Sequence, residues 1–374
     1  MKKKQILFYA SFLADLTFLL LLVLASGWHW LLALTVVEAL MGLARMSRRN
    51  PVLFRFVLRR LLHMLPILFA VIALGFLLMQ LAPGDIFTQM VLNPDISEED
   101  LERYRAAFKL DKPWYVQFFS YLWNILHGDF GFSIVYKIPA FSLISQRALN
   151  TLILSLATVL CAWGFSIPAG IYAARRQYSF GDQAISVFAF FGLAIPNFFL
   201  AFLLIFLVSK TGNWLPLGGM HAVNVGDMNI FQRFGDLLLH MIIPVFVLAT
   251  SATASLTRIM RANMLDTLSQ QYITTARAKG LSEHTVVYKH ALRNAINPMI
   301  SIFGLQFGAI LGGAALVEQV TAWPGLGKLM LAALLSQDTF LITGSFFYGT
   351  ILLVVGNLIA DILLAVVDPR IRIN

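Results

Sequence analysis

Cysteine is nearly missing from this 374-residue chain: Cys161 stands alone inside an apolar run, so no intrachain disulfide can form. It reads as a small core residue. Charge is scarce as well. Asp, Glu, Lys and Arg make up 13% of the residues, against about 25% in an ordinary soluble domain. The sequence shows no metal-ligand cluster, no glycine-rich phosphate loop and no nucleophile–base pair, so it offers no catalytic centre of its own. It also lacks the short alternating segments of a β-barrel.

What it has is apolar sequence in long blocks, with 59% hydrophobic residues. A bilayer core about 30 Å thick takes ~20 apolar residues per helix, and lipid tolerates only structures that satisfy their own backbone hydrogen bonds. Apolar segments near 6–26, 29–44, 61–82, 148–174, 184–209, 237–260, 296–317 and 340–366 therefore predict an all-α polytopic membrane protein with eight candidate spans. The start, Met1-Lys2-Lys3-Lys4 and then an apolar stretch, imitates a secretory signal. The run continues to Ser26 with a second segment almost at once, which favours a retained helix.

The net charge of +9 reports topology in such a protein. Lys2, Lys3 and Lys4, the arginines from Arg45 to Arg60, Arg175 and Arg176, the bases from Arg258 to Arg293, and Arg370 and Arg372 all fall on one side if every span crosses. By the positive-inside rule that side, with both termini, is cytoplasmic. The first two spans are kept or lost as a pair, since losing one would misplace the initial lysines. Their connection, Gly27-Trp28-His29-Trp30, reads as a tight hairpin with tryptophans at interface depth. Asp15 and Glu38 inside it suit packing against a partner, snorkelling or a functional site.

Segment 84–147 lies on the opposite side. Ser97-Glu98-Glu99-Asp100 reads as a helix start with acids at its N-terminus. Trp114, Tyr115, Phe118, Phe119, Tyr121 and Trp123 read as an interfacial cap or a surface for a docked protein. Within the spans, Gly304, Gly308 and Gly312 share one helix face and admit close packing. Pro168, Pro196 and Pro244 are expected to kink their helices. These features suit a bundle that rearranges, and static bundles share them. Gln306, Asn357 and Asp361 are candidates either for a solute pathway or for helix–helix hydrogen bonds.

The most informative stretch runs from Arg261 to Pro298. Gln271 to Lys279 reads as a short helix, Gly280 as its C-cap, Leu281-Ser282-Glu283 as a turn, and 285–295 as a second helix carrying Val286, Val287 and Leu292 on one side. Physically it is a knob that fits a partner's groove, or an amphipathic loop on the headgroups.

Tyr272-Ile273-Thr274-Thr275-Ala276-Arg277-Ala278-Lys279-Gly280-Leu281-Ser282-Glu283, followed by His290-Ala291-Leu292-Arg293-Asn294-Ala295, resembles the coupling loop of the dipeptide/oligopeptide/nickel permeases of ATP-binding-cassette importers. Arg59-Arg60-Leu61-Leu62 with Leu81-Ala82-Pro83-Gly84-Asp85 resembles the family's first span and its exit. Leu110-Asp111-Lys112-Pro113, Gln117 and Gly128-Asp129-Phe130-Gly131 resemble its external segment. Trp323-Pro324-Gly325-Leu326-Gly327 and Asp368-Pro369-Arg370-Ile371-Arg372 resemble its last turn and tail. The likeness covers 55–372. It departs where the general signature begins Glu-Ala-Ala, replaced here by Thr274-Thr275-Ala276, and residues 1–50 lie outside it.

The resemblance implies the type I importer fold: a six-helix core, preceded here by an extra two-helix hairpin at 1–50. The first core helix is 51–83, the external segment 84–147, the transmembrane domain 148–367 with its coupling loop at 262–297, and the cytoplasmic tail 368–374. It implies a pore subunit in a bacterial-type inner membrane, without a cofactor, paired with a second homologous permease. Two ATPase subunits that bind ATP and Mg, and an extracytoplasmic solute-binding protein, complete the system. Tyr272, Thr275, Ala276, Arg277, Ala278, Lys279, Gly280, Leu281, Ser282 and Glu283 would then meet the ATPase, with Ala276 and Ala278 leaving room for its surface. Arg277 and Lys279 would contact its acids or simply obey the positive-inside rule. Peptides are the family's commonest cargo; nickel complexes and oligosaccharides use similar permeases. Two other readings remain on the residues alone. An ion-driven secondary transporter predicts repeated halves with midplane charges, and a lipid-modifying membrane enzyme would gather groups such as Asp85, His127 and Asp129.

Overall fold

The computed structural model describes residues 51–81, 112–133 and 135–367, with Glu99, Glu102 and Ala106; at some helical positions, including 304–313 and 362–367, it describes the backbone alone. The N-terminal hairpin expected at 1–50, the tail 368–374 and the acid-rich helix start near Ser97 lie outside the described residues.

The first described helix, α1, is Pro51–Leu81. A short helix, α2 (Trp114–Leu126), lies beside it. The Phe118 ring meets Phe69 at 5.7 Å and Phe76 at 5.5 Å, and Gln80 Nε2 donates to Gln117 Oε1 at 3.2 Å. The other face of α2 exposes Trp114, Tyr115, Phe119 and Trp123. A two-residue hairpin follows, β1 (Phe132–Ser133) antiparallel to β2 (Ile138–Pro139), with Phe132 opposite Pro139 and Ser133 opposite Ile138. Ser133 Oγ donates to Asp338 at 2.6 Å, fixing the hairpin to the start of the last helix.

The membrane body consists of α3 (Ala140–Arg175), α4 (Phe180–Ala194), α5 (Asn197–Lys210) and α6 (Ile230–Leu268). After a loop come α8 (Asn297–Val320), α9 (Leu326–Leu335) and α10 (Thr339–Val367), with α7 inside the loop described below. Among the described residues, three helices are long and apolar enough to cross a bilayer, and α4 with α5 makes a fourth. The segment read as a span over 184–209 and expected to kink at Pro196 is that pair, bent sharply: α4 and α5 meet at 102°. Ile195 is extended there (φ −86°, ψ 121°) because the ring of Pro196 disfavours helical geometry in the residue before it. Pro168 and Pro244, expected to act alike, sit inside uninterrupted helices.

Three apolar clusters stack along the bundle. One joins Tyr121, Ile125 and Phe130 to Ile144, Leu329 and Leu341. The middle one packs Leu154, Val247 and Leu248 around the fully buried Trp323. The third gathers Ile171, Leu256, Met260 and Met264 under the 271–295 loop.

Candidate functional site

Thirty-nine residues of α6 span about 58 Å at 1.5 Å per residue, nearly twice the bilayer's apolar thickness of about 30 Å. The helix therefore outruns the membrane, and the chain turns back beyond it. Helix α7 (Gln271–Ala278) ends in two bonds: Gly280 N–H donates to Arg277 O at 2.9 Å and Leu281 N–H to Ala276 O at 3.3 Å. This is the Schellman pattern, and it needs a left-handed residue at Gly280, whose φ is +74°. Ser282 then caps the next arm, accepting from Thr285 N–H.

That second arm is Glu283–Thr285, a π-helical turn Val286–Ala291, and Leu292–Ala295. The wider turn lets the adjacent Val286 and Val287 both point inward, where both are fully buried. With Ile273 they close onto Met260, Met264 and Ile171. Burying each of the three contributes roughly 1.5–3 kcal/mol. Polar ties brace the arms. Asn294 Nδ2 donates to Tyr272 Oη at 2.7 Å, and Asn263 Nδ2 to Ala295 O at 3.2 Å. Arg277 grips Glu283 through Nε and Nη2, at 3.1 and 2.8 Å, and that bond holds the Glu283 carboxyl below its usual value. The result is a packed, rigid knob.

Of the residues singled out in the sequence, Tyr272, Thr275, Ala278, Lys279, Gly280, Leu281, Ser282 and Glu283 lie on the knob's exposed surface. Ala276 does not. It is buried against the knob's own interior, because it shares the Ile273 face of α7, so it leaves no room for an outside surface. Arg277 is exposed but committed to Glu283. Gly304, Gly308 and Gly312 lie in α8 and Gln306 with them; their side-chain surroundings lie outside the described residues. Asn357 and Asp361 are half-buried on α10, which packs along α8. Asp129 and His127 belong to a turn: Asp129 accepts from Gly131 N–H at 2.8 Å, and His127 Nδ1 contacts Trp123 O at 2.8 Å.

Two carboxylates that the sequence gave no reason to select organise the ends of the bundle. At the foot of the knob, Asp182 in the first turn of α4 accepts from Arg261 Nε at 2.7 Å and Arg261 Nη2 at 2.8 Å, and from Tyr178 N–H at 2.9 Å. At the far end of α8, Glu318 is completely buried. It accepts from Thr151 Oγ1 at 2.6 Å and from Lys328 N–H at 2.9 Å, while Thr151 accepts from Leu326 N–H at 2.7 Å. A Cβ on Gly325 would overlap that carboxylate. Trp323 Nε1 donates to Asn150 O at 3.2 Å, and Asn150 Nδ2 to Pro324 O at 2.8 Å. Helix α8 thus joins the knob to a fixed turn about 36 Å away.

Residues 166–373 match the family described as the binding-protein-dependent transport system inner membrane component, and residues 53–155 match the N-terminal region of the same class of membrane component. This chain belongs to that family. The oligopeptide transport system permease protein AppB of Bacillus subtilis is 46% identical over 318 residues, covering 85% of this chain and 99% of that protein. The dipeptide transport system permease protein DppB of Escherichia coli is 35% identical over 336 residues, at 86% and 99% coverage. The glutathione transport system permease protein GsiC of Escherichia coli is 36% identical over 320 residues, again at 86% and 99%. The protein is accordingly a permease component of an ATP-binding-cassette importer, multi-pass in the inner membrane. In this permease the knob, the Asp182–Arg261 pair and the Glu318 turn all fall within the 166–373 match, and α1 and α2 within the N-terminal one.

Proposed function

We propose that this permease forms half of the pathway for di- or oligopeptides, and that the 271–295 knob is where a partner ATPase docks. The observation that carries the docking is the knob's construction. Ile273, Val286 and Val287 face inward and its arms are cross-braced, so it moves as one piece with α6 and α8. The cargo reading draws on the relatives named for oligopeptide, dipeptide and glutathione transport.

In this scheme a binding protein delivers the solute on the side opposite the knob. Two ATPase subunits bind ATP and Mg, and a second homologous permease completes the pore; this chain supplies no ATPase site. Both termini are cytoplasmic. The unit comprises a six-helix core with α4 and α5 counted as one broken span, an additional hairpin at 1–50, the external segment 84–147, the coupling loop 262–297 within the 148–367 domain, and the tail 368–374. An ATPase that closes on nucleotide shifts the pore only by contacting the knob differently in its two states. Exposed Tyr272, Ala278, Lys279, Leu281 and Ser282 make that contact. Gln306, Asn357 and Asp361 serve the pathway or hydrogen bonds between helices, and Gly304, Gly308 and Gly312 serve helix packing.

The test is the reconstituted complex of both permeases, both ATPases and the binding protein. Gly280→Glu places a bulky charge where φ is positive, on the docking face. Peptide-stimulated ATP turnover is expected to fall to the unstimulated level. Peptide uptake by this chain alone in liposomes, driven by a proton or sodium gradient, would overturn the reading.

A further inference from the structure

Among the described residues, no counter-charge meets Arg258. It lies on α6 one turn before Arg261, is exposed, and among the described residues has neither hydrogen bond nor ion pair. Arg261 is neutralised by Asp182 through two short bonds; Arg258 is not. Both arginines border a cavity of about 700 Å³ between α4 and α6, lined also by Ser186, Phe190, Leu193, Ser255 and Ile259. Its hydroxyls are unspent. Elsewhere on α6, Thr250 and Ser251 satisfy themselves on the preceding turn, bonding Phe246 O at 2.7 Å and Leu248 O at 3.4 Å. Ser255 and Ser186 make no such bond, so both face the cavity as open donors.

The cavity is graded along the bundle axis. The Asp182–Arg261 pair marks its knob-side end. Ser186, Phe190 and Leu193 follow on α4 at roughly one, two and three turns from Asp182, about 5–16 Å inward. Arg258 and Ser255 follow on α6 about 4.5 and 9 Å inward from Arg261. Charge and hydroxyls therefore sit toward the knob-side end, with Ile259 among them, and Phe190 and Leu193 line the deeper part. Net charge around the cavity, counting Arg258, Arg261 and Asp182, is one positive. A guanidinium with adjacent hydroxyls suits a phosphate, and the apolar depth suits a hydrocarbon chain. A peptide would bring main-chain polar groups into that depth with only Ser255 to meet them.

We propose that the α4–α6 cavity is a binding site for an anionic phospholipid of the knob-side leaflet, its phosphate held by Arg258, Ser186 and Ser255 and an acyl chain lying along Phe190 and Leu193. Basic clefts between spanning helices serve anionic lipid headgroups in this way. A lipid so placed wedges the first arm of the broken span against α6, next to the bond that ties that arm to the knob.

The experiment uses the full complex in nanodiscs of equal parts phosphatidylglycerol and phosphatidylcholine, and native mass spectrometry counts the lipids retained on release. It needs neither cargo nor ATP, so its failure and a failure of the peptide-transport reading are separate results. Wild type is expected to retain phosphatidylglycerol selectively. Arg258→Gln should lower that retention about tenfold or more, as loss of a charge-assisted bond implies. Arg258→Lys, which keeps the charge and loses the planar fork, should retain an intermediate amount. Equal retention of the two lipids by wild type overturns the proposal, a result that depends on no variant folding. So does unchanged retention in Arg258→Gln. If Arg258→Gln instead raises KM only for peptides with a free C-terminal carboxylate, and not for their amides, while lipid retention is unaltered, the cavity serves cargo and the lipid proposal fails.

Discussion

Arg261 holds Asp182 through two parallel hydrogen bonds of 2.7 and 2.8 Å, and so fastens the foot of the knob to the first turn of a span that breaks by 102° at Pro196. The two residues are 79 positions apart. The pair ties α6, the helix that leads into the knob, directly to α4.

Asp182→Asn keeps the shape of the side chain and removes its charge. Breaking a fully buried ion pair costs about 3–5 kcal/mol. Arg261 remains partly open to water, so the expected loss is about 2–3 kcal/mol. Thermal unfolding of the purified complex reads it as a lower Tm. Coupling should suffer more than stability: ATP turnover persists but no longer rises with loaded binding protein. The exchanged pair Asp182→Arg with Arg261→Asp should recover part of the stimulation, and no recovery would show that the local backbone matters more than the bond.

Ala276 and Ala278 stand two residues apart on α7 and face opposite ways, the first into the knob and the second outward. Ala276→Leu overpacks a closed interior, at a cost of about 1–3 kcal/mol, and should lower the Tm of the isolated permease. Ala278→Leu should leave that Tm unchanged and weaken co-purification of the ATPase. If both variants behave alike, the assignment of inner and outer faces is wrong.

Local chemistry made the loop legible. A glycine after a short helical pattern announces a left-handed cap, and the Gly280 turn follows it; Ser282-Glu283, read as part of the turn with the next helix from 285, is instead the cap and first residue of that helix. The apolar runs near 148–174, 184–209, 237–260 and 340–366 likewise fall on the three long apolar helices and the bent pair among the described residues, since burial in lipid leaves its mark on composition. Partners far away in the chain were not legible. Asp182 answers Arg261 at a separation of 79 residues and Glu318 answers Thr151 at 167, and a lone acid in an apolar run carries no sign of its mate. The prolines were legible only as places where a helix could bend: Pro196 marks the 102° break, while Pro168 and Pro244 lie inside continuous helices, and sequence shows the same residue in all three. The π-helical turn was not legible: Val286, Val287 and Leu292 read as one side of a regular helix over 285–295, and a single widened turn leaves no mark in composition.

At the opposite end of α8, Thr151 is both a donor to buried Glu318 and an acceptor from Leu326 N–H. Thr151→Val keeps the volume and removes both bonds, leaving a buried carboxylate oxygen without its donor at a cost of about 1–3 kcal/mol. The Trp323-Pro324-Gly325 turn should loosen, and hydrogen exchange at the Leu326 and Lys328 amides should quicken by at least about fivefold, since ~1.4 kcal/mol corresponds to tenfold. Unaltered protection at both amides would mean that Trp323 and Asn150 hold the turn alone.

The Arg277–Glu283 pair gives the knob a pH dependence whose sign is fixed. Arg277 lowers the Glu283 carboxyl below its usual value, so the folded knob favours the ionised form. The stabilisation is complete above the ordinary carboxylate pKa of about 4.3 and fades as pH falls through the lower folded value. Between pH 8 and about 5.5 the bond should therefore be indifferent to acidity. Both side chains are close to half exposed, and pairs of this kind contribute only about 0–1 kcal/mol, less in high salt. Glu283→Gln should accordingly lower Tm by no more than about 2 °C at neutral pH. The clearer readout is local: in the variant the Leu281 amide, which closes the Schellman turn, should exchange faster at neutral pH. Wild type should approach that rate, after correction for intrinsic exchange, only below about pH 4. A wild-type curve that instead changes between pH 6 and 8 would place the titrating group elsewhere in the knob.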